Sequence, residues 1–304
     1  MAEWSVKKFV DFGNFEHGDY KEGVPWYGFH DRLGAHYVCS YFRHYIGLLD
    51  RGRAVWTAGE TDPGLADTHY TIKFDTPKYV CRPHHRNALL VSEKKYVYEL
   101  NLDTMRFSVR IDCEKSPVAD SGCCVCDRDD DIWVNDVQGS GVYRFSPDGK
   151  LKEKVGRAEP GFNAGTVSFA DAAFNWIYDL RLGPDGNLYV LDSKNYSVRM
   201  IDIRARTVTT ICGDGTPGDS PPECGLSEAR FGARAGKYFD GPWSLFVAEA
   251  GDIFVGDTWN GTVRAIDRKA GTVTTIAPRN GAAACARICG MDYRSEERRV
   301  GKEC

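Results

Sequence analysis

NLYVLDSKNYSVRMIDIRARTVTTI, residues 187–211, decides the fold because a second copy of it follows in the same chain. Residues 252–276 read DIFVGDTWNGTVRAIDRKAGTVTTI and align with the first stretch without a gap, 65 positions later. Asp192 aligns with Asp257, and Asn195 aligns with Asn260. Internal repetition of this kind is typical of repeat architectures, so it decides the fold before any single element is considered.

Weaker copies of the same unit lie upstream. In residues 131–146, Val134 and Asp136 occupy the places of Val190 and Asp192. Two earlier copies keep the valine but not the aspartate. The five units are anchored at Val38, Val91, Val134, Val190 and Val255.

Each unit has the pattern of four short strands. In the clearest unit these are YDLRL, LYVLD, VRMID and TVTTI, with the turn PDGN between the first two. Proline presets such a turn, and glycine and asparagine accept positive φ in it. Four-stranded antiparallel units that repeat every 40 to 60 residues or so are typical of a β-propeller. The sequence therefore predicts an all-β propeller.

The unit resembles the NHL repeat. The resemblance is carried by the Asp185–Gly186 turn, the strand Leu188–Asp192, the following Asn195, and Val198–Asp202 with the strand and glycine after it. It implies a propeller, usually six-bladed, that serves as a binding platform. Six-bladed lactonases hold a metal with Glu, Asn and Asp at the starts of their innermost strands. At the corresponding positions this chain has aromatic residues, a glycine and, of the acidic residues, only Asp179, which argues against a lactonase.

Both ends of the chain bear on how the ring closes. KKFVDFG, Lys7–Gly13, looks like an outermost strand with no blade before it, and Gly290–Tyr293 looks like the start of an innermost strand. We therefore expect a sixth, truncated blade completed by the N-terminal strand, within one propeller domain of residues 1–293. The last residues, RSEERRVGKEC from Arg294 to Cys304, back-translate to a sequencing adapter, so we interpret 294–304 as a non-native tail.

Composition excludes several classes of partner. The net charge is −4 and the basic residues are dispersed, which argues against a nucleic-acid surface. No run of about 18 apolar residues exists to span a membrane. The 11 cysteines include the adjacent Cys123 and Cys124, which suit a reducing compartment better than a disulfide framework. We expect a cytoplasmic monomer.

Aromatic residues recur at the predicted start of the innermost strand, twelve positions before the anchoring valine. With Trp259 in a later turn, they are our candidate ligand-binding residues, on the face that carries the long loops. The alternative is that these rings pack between blades, and the sequence favours it. The candidates are Trp26, Tyr79, Tyr178, Trp243 and Trp259.

Polar residues recur at the turn between the second and third strands of the stronger units. They could form a polar ring for a ligand or a cation. Their recurrence favours turn capping, in which Asp and Asn bond to the nearby backbone. The residues are Asp136, Asp192, Asn195, Asp257 and Asn260.

Thiols and histidines raise the question of a metal. Cys123, Cys124, Cys126 and Cys81, with His84 and His85, could hold zinc, but small buried cysteines explain the pattern more simply. We identify no catalytic residue, no metal ligand and no cofactor. The sequence favours a non-enzymatic binding or scaffold module for a protein, a peptide or a small polar ligand. The alternative is a propeller hydrolase or lyase, similar to lactonases or amidating lyases, with a divalent metal in the central funnel.

Overall fold

The computed structural model describes residues 27–30, 35–40, 44–50, 53–62, 64, 66–137, 139, 141–232 and 240–277. Within these ranges the strands form five sheets, which we call blades 1 to 5 in chain order. In the same part of the chain, no helix is long and apolar enough to cross a membrane.

In blades 1 to 3 the strands follow the chain from the innermost strand outward. Blade 1 has β1 (Tyr27–His30), β2 (His36–Ser40), β3 (Tyr45–Asp50), β4 (Arg53–Gly59) and β5 (His69–Thr71). Blade 2 has β6 (Tyr79–Cys81), β7 (Ala88–Ser92), β8 (Tyr96–Asn101) and β9 (Arg106–Asp112). Blade 3 has β10 (Ser121–Cys126), β11 (Ile132–Asp136), β12 (Val142–Phe145) and β13 (Leu151–Val155).

Blades 4 and 5 each receive an extra strand before their innermost strand. Blade 4 has β14 (Thr166–Ser168), β15 (Ile177–Leu182), β16 (Leu188–Asp192), β17 (Ser197–Asp202) and β18 (Thr207–Cys212). Blade 5 has β19 (Glu223–Gly225), β20 (Ser244–Val247), β21 (Ile253–Asp257), β22 (Thr262–Asp267) and β23 (Thr272–Ala277). Two short 3-10 helices, Cys113–Lys115 and Ser193–Asn195, complete the described elements.

The innermost strands hold the blades together. β10 packs against β6 on one side and β15 on the other, β20 packs against β15, and β1 packs against β6. In blade 4, Leu180, Val190, Ile201 and Val208, one from each of the four main strands, are fully buried. Stacking blades face to face buries both sides of each sheet, which explains why these strands are apolar at neighbouring positions.

The predicted repeats match the blades one to one. Each anchoring valine lies on the second strand of its blade, counted from the innermost strand: β2, β7, β11, β16 and β21. The second strand is counted in this way below. The PDGN turn joins β15 to β16 as expected: Gly183 donates to Asn187 O at 2.8 Å, and Gly186 adopts φ +82°. An L side chain rarely adopts that φ, so this position requires glycine.

The prediction of six blades, the last of them truncated, is wrong. The described residues form five blades of four or five strands. The count of six depended on the family resemblance and on two short segments, 7–13 and 290–293, which lie outside the described residues together with the tail. A blade is a set of paired strands, and the similarity of one segment to one strand does not supply the pairing.

The fifth strand of blades 4 and 5 comes from a second repeat within the chain. Residues 161–174 read GFNAGTVSFADAAF and residues 218–231 read GDSPPECGLSEARF, an ungapped match at Gly, Ala and Phe. β14 pairs with β18, and β19 pairs with β23 at the corresponding place. Each of these two long connections therefore contributes a strand to its blade, and that strand covers the outer edge of the sheet.

Candidate functional site

A carboxylate at the end of the second strand of four blades fixes the loop that enters the innermost strand. It accepts a backbone N–H at 2.5 to 2.9 Å. The pairs are Glu93 with Asp75, Asp136 with Ala119, Asp192 with Asn175 and Asp257 with Gly232. The turns after the second strands and the entering loops therefore share one face of the propeller, which we call the long-loop face.

Asp192 is the centre of a buried network in blade 4. Its Oδ2 accepts from Asn195 Nδ2 at 2.8 Å and from Arg199 at 3.1 Å. Asn195 also donates to Gly161 O at 2.7 Å, and Arg199 donates to Ala173 O at 3.1 Å, so both ends of the entering loop are fastened. Burial raises the pKa of Asp192 to about 6, although Arg199 acts in the opposite direction.

Blade 5 repeats the network with one addition. Asn260 Nδ2 donates to Asp257 Oδ2 at 2.8 Å and to Gly218 O at 2.9 Å. Arg264 donates to Asp219 in the loop at 2.5 Å. Burial raises the pKa of Asp257 to about 6. In blade 3, Asp136 likewise accepts the N–H groups of Ala119 and Gly139. In these blades the polar residues therefore cap the turn and hold the entering loop in place.

Three of the predicted aromatic residues meet on the long-loop face. Tyr178 stacks on Trp243 with ring centroids 5.5 Å apart and planes 15° apart. Trp259 meets Trp243 edge to face at 5.8 Å. Trp243 is 7% exposed, whereas Tyr178 and Trp259 are half-buried. Tyr178 and Trp243 occupy equivalent positions in adjacent blades, which explains why the repeat places their rings side by side.

Two further candidates do not join this group. Tyr79 is 2% exposed, and its hydroxyl donates to Leu180 O at 3.3 Å instead of reaching the surface. The guanidinium of Arg181 lies 5.3 Å from the centroid of the Tyr79 ring. Trp26 lies outside the described residues. Among the described candidates, the rings that meet are those of Tyr178, Trp243 and Trp259 in blades 4 and 5.

Sequence reasoning missed Trp176 and Lys194. Trp176 precedes β15 by one residue and adopts φ +60°, which is rare for a bulky side chain. Lys194 Nζ lies 5.3 Å from the centroid of the Trp176 ring, a cation–π distance. The sequence signal for Trp176 is the triplet WIY, residues 176–178, which places a second aromatic residue beside Tyr178 at the start of the innermost strand. We call Trp176, Tyr178, Trp243 and Trp259 the aromatic mouth.

A buried polar group links the innermost strands of blades 3, 4 and 5. The Oδ2 atom of Asp179 accepts the backbone N–H of Leu245 at 2.8 Å, and Arg181 Nε lies 3.2 Å from its Oδ1. Cys123 Sγ donates to the carbonyl of Tyr178 at 3.4 Å. Burial raises the pKa of Asp179, which is 3% exposed. Both carboxylate oxygens of Asp179 are engaged within the protein.

The cysteines suspected of binding zinc lie in the core between blades 2 and 3. Cys81 Sγ and Cys124 Sγ are 3.8 Å apart, and Cys126 is 4% exposed. Burial raises the pKa of the Cys81 thiol well above its usual value. In the described ranges, no three His, Cys, Asp or Glu side chains are grouped so that they could hold a metal ion.

Solved structures share this architecture. An auxiliary nutrient binding protein from Bacteroides thetaiotaomicron has a TM-score of 0.62 and 13% identity, covering 91% of this chain and 65% of its own. The chain is a β-propeller. Virginiamycin B lyase from Staphylococcus aureus has a TM-score of 0.55 and 12% identity, covering 86% of this chain and 72% of the lyase.

A second auxiliary nutrient binding protein, from Bacteroides ovatus, has a TM-score of 0.58 and 16% identity, covering 81% of this chain and 59% of its own. These identities show a shared fold and nothing finer. No family model matches the chain. No curated protein matches it either. Membership of the NHL-repeat family therefore stays a prediction.

Proposed function

We propose that this chain is a non-enzymatic, NHL-type propeller that binds a peptide, a protein or a small polar ligand at the aromatic mouth. The observation that carries the proposal is the contact of Tyr178, Trp243 and Trp259 on the long-loop face. Half-buried aromatic rings offer a large apolar area with few rotatable bonds, so a flat group stacks on them at a small cost in entropy. A sugar ring or the aromatic side chain of a peptide has the required shape.

The backbone at Trp176 supports this choice of site. A bulky residue in the left-handed region costs about 1–3 kcal/mol and persists only where its surroundings hold it, which is frequent at ligand sites. Lys194 stands over that ring and supplies a positive charge beside the aromatic mouth. A polar ligand could therefore combine stacking with a hydrogen bond or an ion pair to Lys194.

The polar groups near the mouth favour binding over catalysis. Asp179 is bonded to Leu245 and paired with Arg181, so its carboxylate is already committed to holding blades together. The similar structures include both nutrient binding proteins and a lyase, so the fold does not choose between binding and catalysis. The proposal for a reducing, cytoplasmic setting and a monomer follows from the sequence arguments.

Saturation-transfer NMR with a panel of soluble disaccharides and of dipeptides containing Trp, Tyr or Phe tests this proposal. We expect saturable binding of at least one class. Trp259→Ala should weaken that binding about tenfold, the equivalent of about 1.4 kcal/mol. Tyr96→Ala, a half-buried tyrosine on β8 of blade 2, is the matched control and should leave the affinity unchanged.

Near-UV circular dichroism checks that Trp259→Ala, Tyr178→Ala and Tyr96→Ala are folded. The proposal fails if no member of either class binds, or if Trp259→Ala and Tyr178→Ala bind as the wild type does.

A further inference from the structure

A cleft of about 560 Å³ lies between blades 4 and 5, and no residue of the aromatic mouth lines it. One wall belongs to blade 4, with Phe162, Ala164 and Gly165 and the end of β18. The other wall belongs to blade 5, with residues 225–228 and Gly271. Its volume falls within the range of small-molecule sites.

Phe162 is a residue at which the two repeated loops differ in chemistry, an aromatic ring against a carboxylate. In blade 5 its counterpart is Asp219, which pairs with the buried Arg264. In blade 4 the guanidinium of Arg199 instead lies 5.7 Å from the Phe162 ring. Arg199 is fully buried, and its Nε and one terminal nitrogen have no hydrogen-bond partner among the described residues. Blade 4 thus lacks an ion pair that its own repeat possesses.

That loss has a physical cost, because a buried donor without an acceptor has given up its hydrogen bonds to water. What replaces the ion pair is a half-buried aromatic ring in the wall of a cleft. Breaks in an otherwise consistent local pattern concentrate at functional sites. The phenylalanine at position 162, where blade 5 has Asp219, is therefore an observation independent of the volume of the cleft.

The chemistry of the lining indicates the ligand. Phe162, Ile211 and Leu226 are half-buried and form an apolar surface. Asp214 and Glu228 add carboxylates, and no Lys, Arg or His is among the described residues that line the cleft. Asp214 is already paired with Arg230 at 2.9 Å, outside the lining. Glu228 is exposed, and its Oε2 accepts the N–H of Gly225 at 3.2 Å.

We propose that this cleft binds a small organic cation, an amine whose alkyl or aryl body covers Phe162, Ile211 and Leu226 and whose ammonium group pairs with Glu228. The cationic end lies at the blade 5 wall because Glu228 belongs to that wall, whereas Asp214 is already paired with Arg230. The site is independent of the aromatic mouth and of its ligand.

Titration calorimetry at low salt with three probes of one shape tests the site: 4-phenylbutylamine, 4-phenylbutanol and 4-phenylbutyrate. We expect the amine to bind about fivefold tighter than the neutral alcohol, the effect of one exposed charge pair of about 1 kcal/mol. The carboxylate should bind more weakly than the alcohol. Glu228→Gln should abolish the preference for the amine.

Glu249→Gln is the matched control, because Glu249 is an exposed glutamate in the β20–β21 turn and does not line the cleft. It should keep the wild-type preference. The proposal is overturned if the alcohol or the carboxylate binds as tightly as the amine. It is equally overturned if no probe binds, or if Glu228→Gln retains the preference.

Discussion

Asp257 shows how a single buried carboxylate makes the stability of a blade depend on pH. Its pKa rises from 3.8 to about 6 in the folded protein because burial disfavours the charged form. The groups that face it are Asn260, the N–H of Gly232, Arg264 and Asp219, of which only Asp219 also raises the pKa. Between pH 4 and pH 6 the folded state therefore retains a proton that the unfolded chain has released.

The sign of the effect follows from that proton. The folded state binds more protons than the unfolded state in this window, so the contribution of Asp257 to stability falls as pH rises from about 4 to about 6 and is constant above. Asp257→Asn removes the titration. We expect the stability advantage of the wild type over this variant to shrink as pH rises from 4 to 7, measured by urea unfolding at each pH.

Asp252→Asn, in the first hairpin turn of the same blade, is the control and should show a difference from the wild type that does not shrink in this way. An advantage of the wild type that grows with pH would contradict the assignment, because it would mean that the folded state stabilises the charged carboxylate of Asp257.

At the scale of elements, the two long loops were only partly predictable. Their length indicates a place for binding, but it does not reveal the repeat. The ungapped match of 161–174 with 218–231 keeps few identical residues, among them Gly161, Ala172 and Phe174 with their counterparts. The β-strand within each loop is three residues long, too short for periodicity to reveal it. Its pairing depends on an edge strand that only the fold supplies.

The variant Asn260→Ala tests whether hydrogen bonds from this side chain hold the long loop of blade 5 in place. The Asn260 amide bonds to Gly218 O, Gly232 O and Asp257, so Asn260→Ala leaves buried acceptors short of donors. We expect a loss of about 1–3 kcal/mol in stability, with faster hydrogen exchange across residues 218–232. Mass-spectrometric hydrogen exchange of the folded protein measures the local effect, and urea unfolding measures the global one.

Asn101→Ala is the comparison for that experiment. Asn101 caps an exposed turn of blade 2 by accepting from the N–H groups of Asp103 and Thr104. Its loss should cost less and should leave exchange in residues 218–232 unchanged. If Asn260→Ala behaves in the same way, the loop is held by its fifth strand alone.

At the scale of the whole molecule, repetition predicted the architecture and the anchoring valines because both depend on local patterns that recur. The number of blades was not predictable in this way, since it depends on which strands pair. The same distinction explains the aromatic mouth. Tyr178 and Trp243 lie side by side because they occupy equivalent positions in adjacent blades. Tyr79 occupies the same position in blade 2 but is buried, with its hydroxyl donating to Leu180 O of blade 4.

Asn135 tests how strongly the blades depend on each other. It is fully buried, accepts the N–H of Cys123 at 2.7 Å and donates to Ile177 O of blade 4 at 2.8 Å. Asn135→Leu keeps a similar volume but leaves both backbone groups without partners, so we expect a loss of about 2–4 kcal/mol in urea unfolding. Because the joint lies between blades, hydrogen exchange should accelerate in β10 and in β15 together. Asn187→Leu, in the β15–β16 turn, should cost less than about 1 kcal/mol. Acceleration confined to β10 would mean that the blades are stabilised independently.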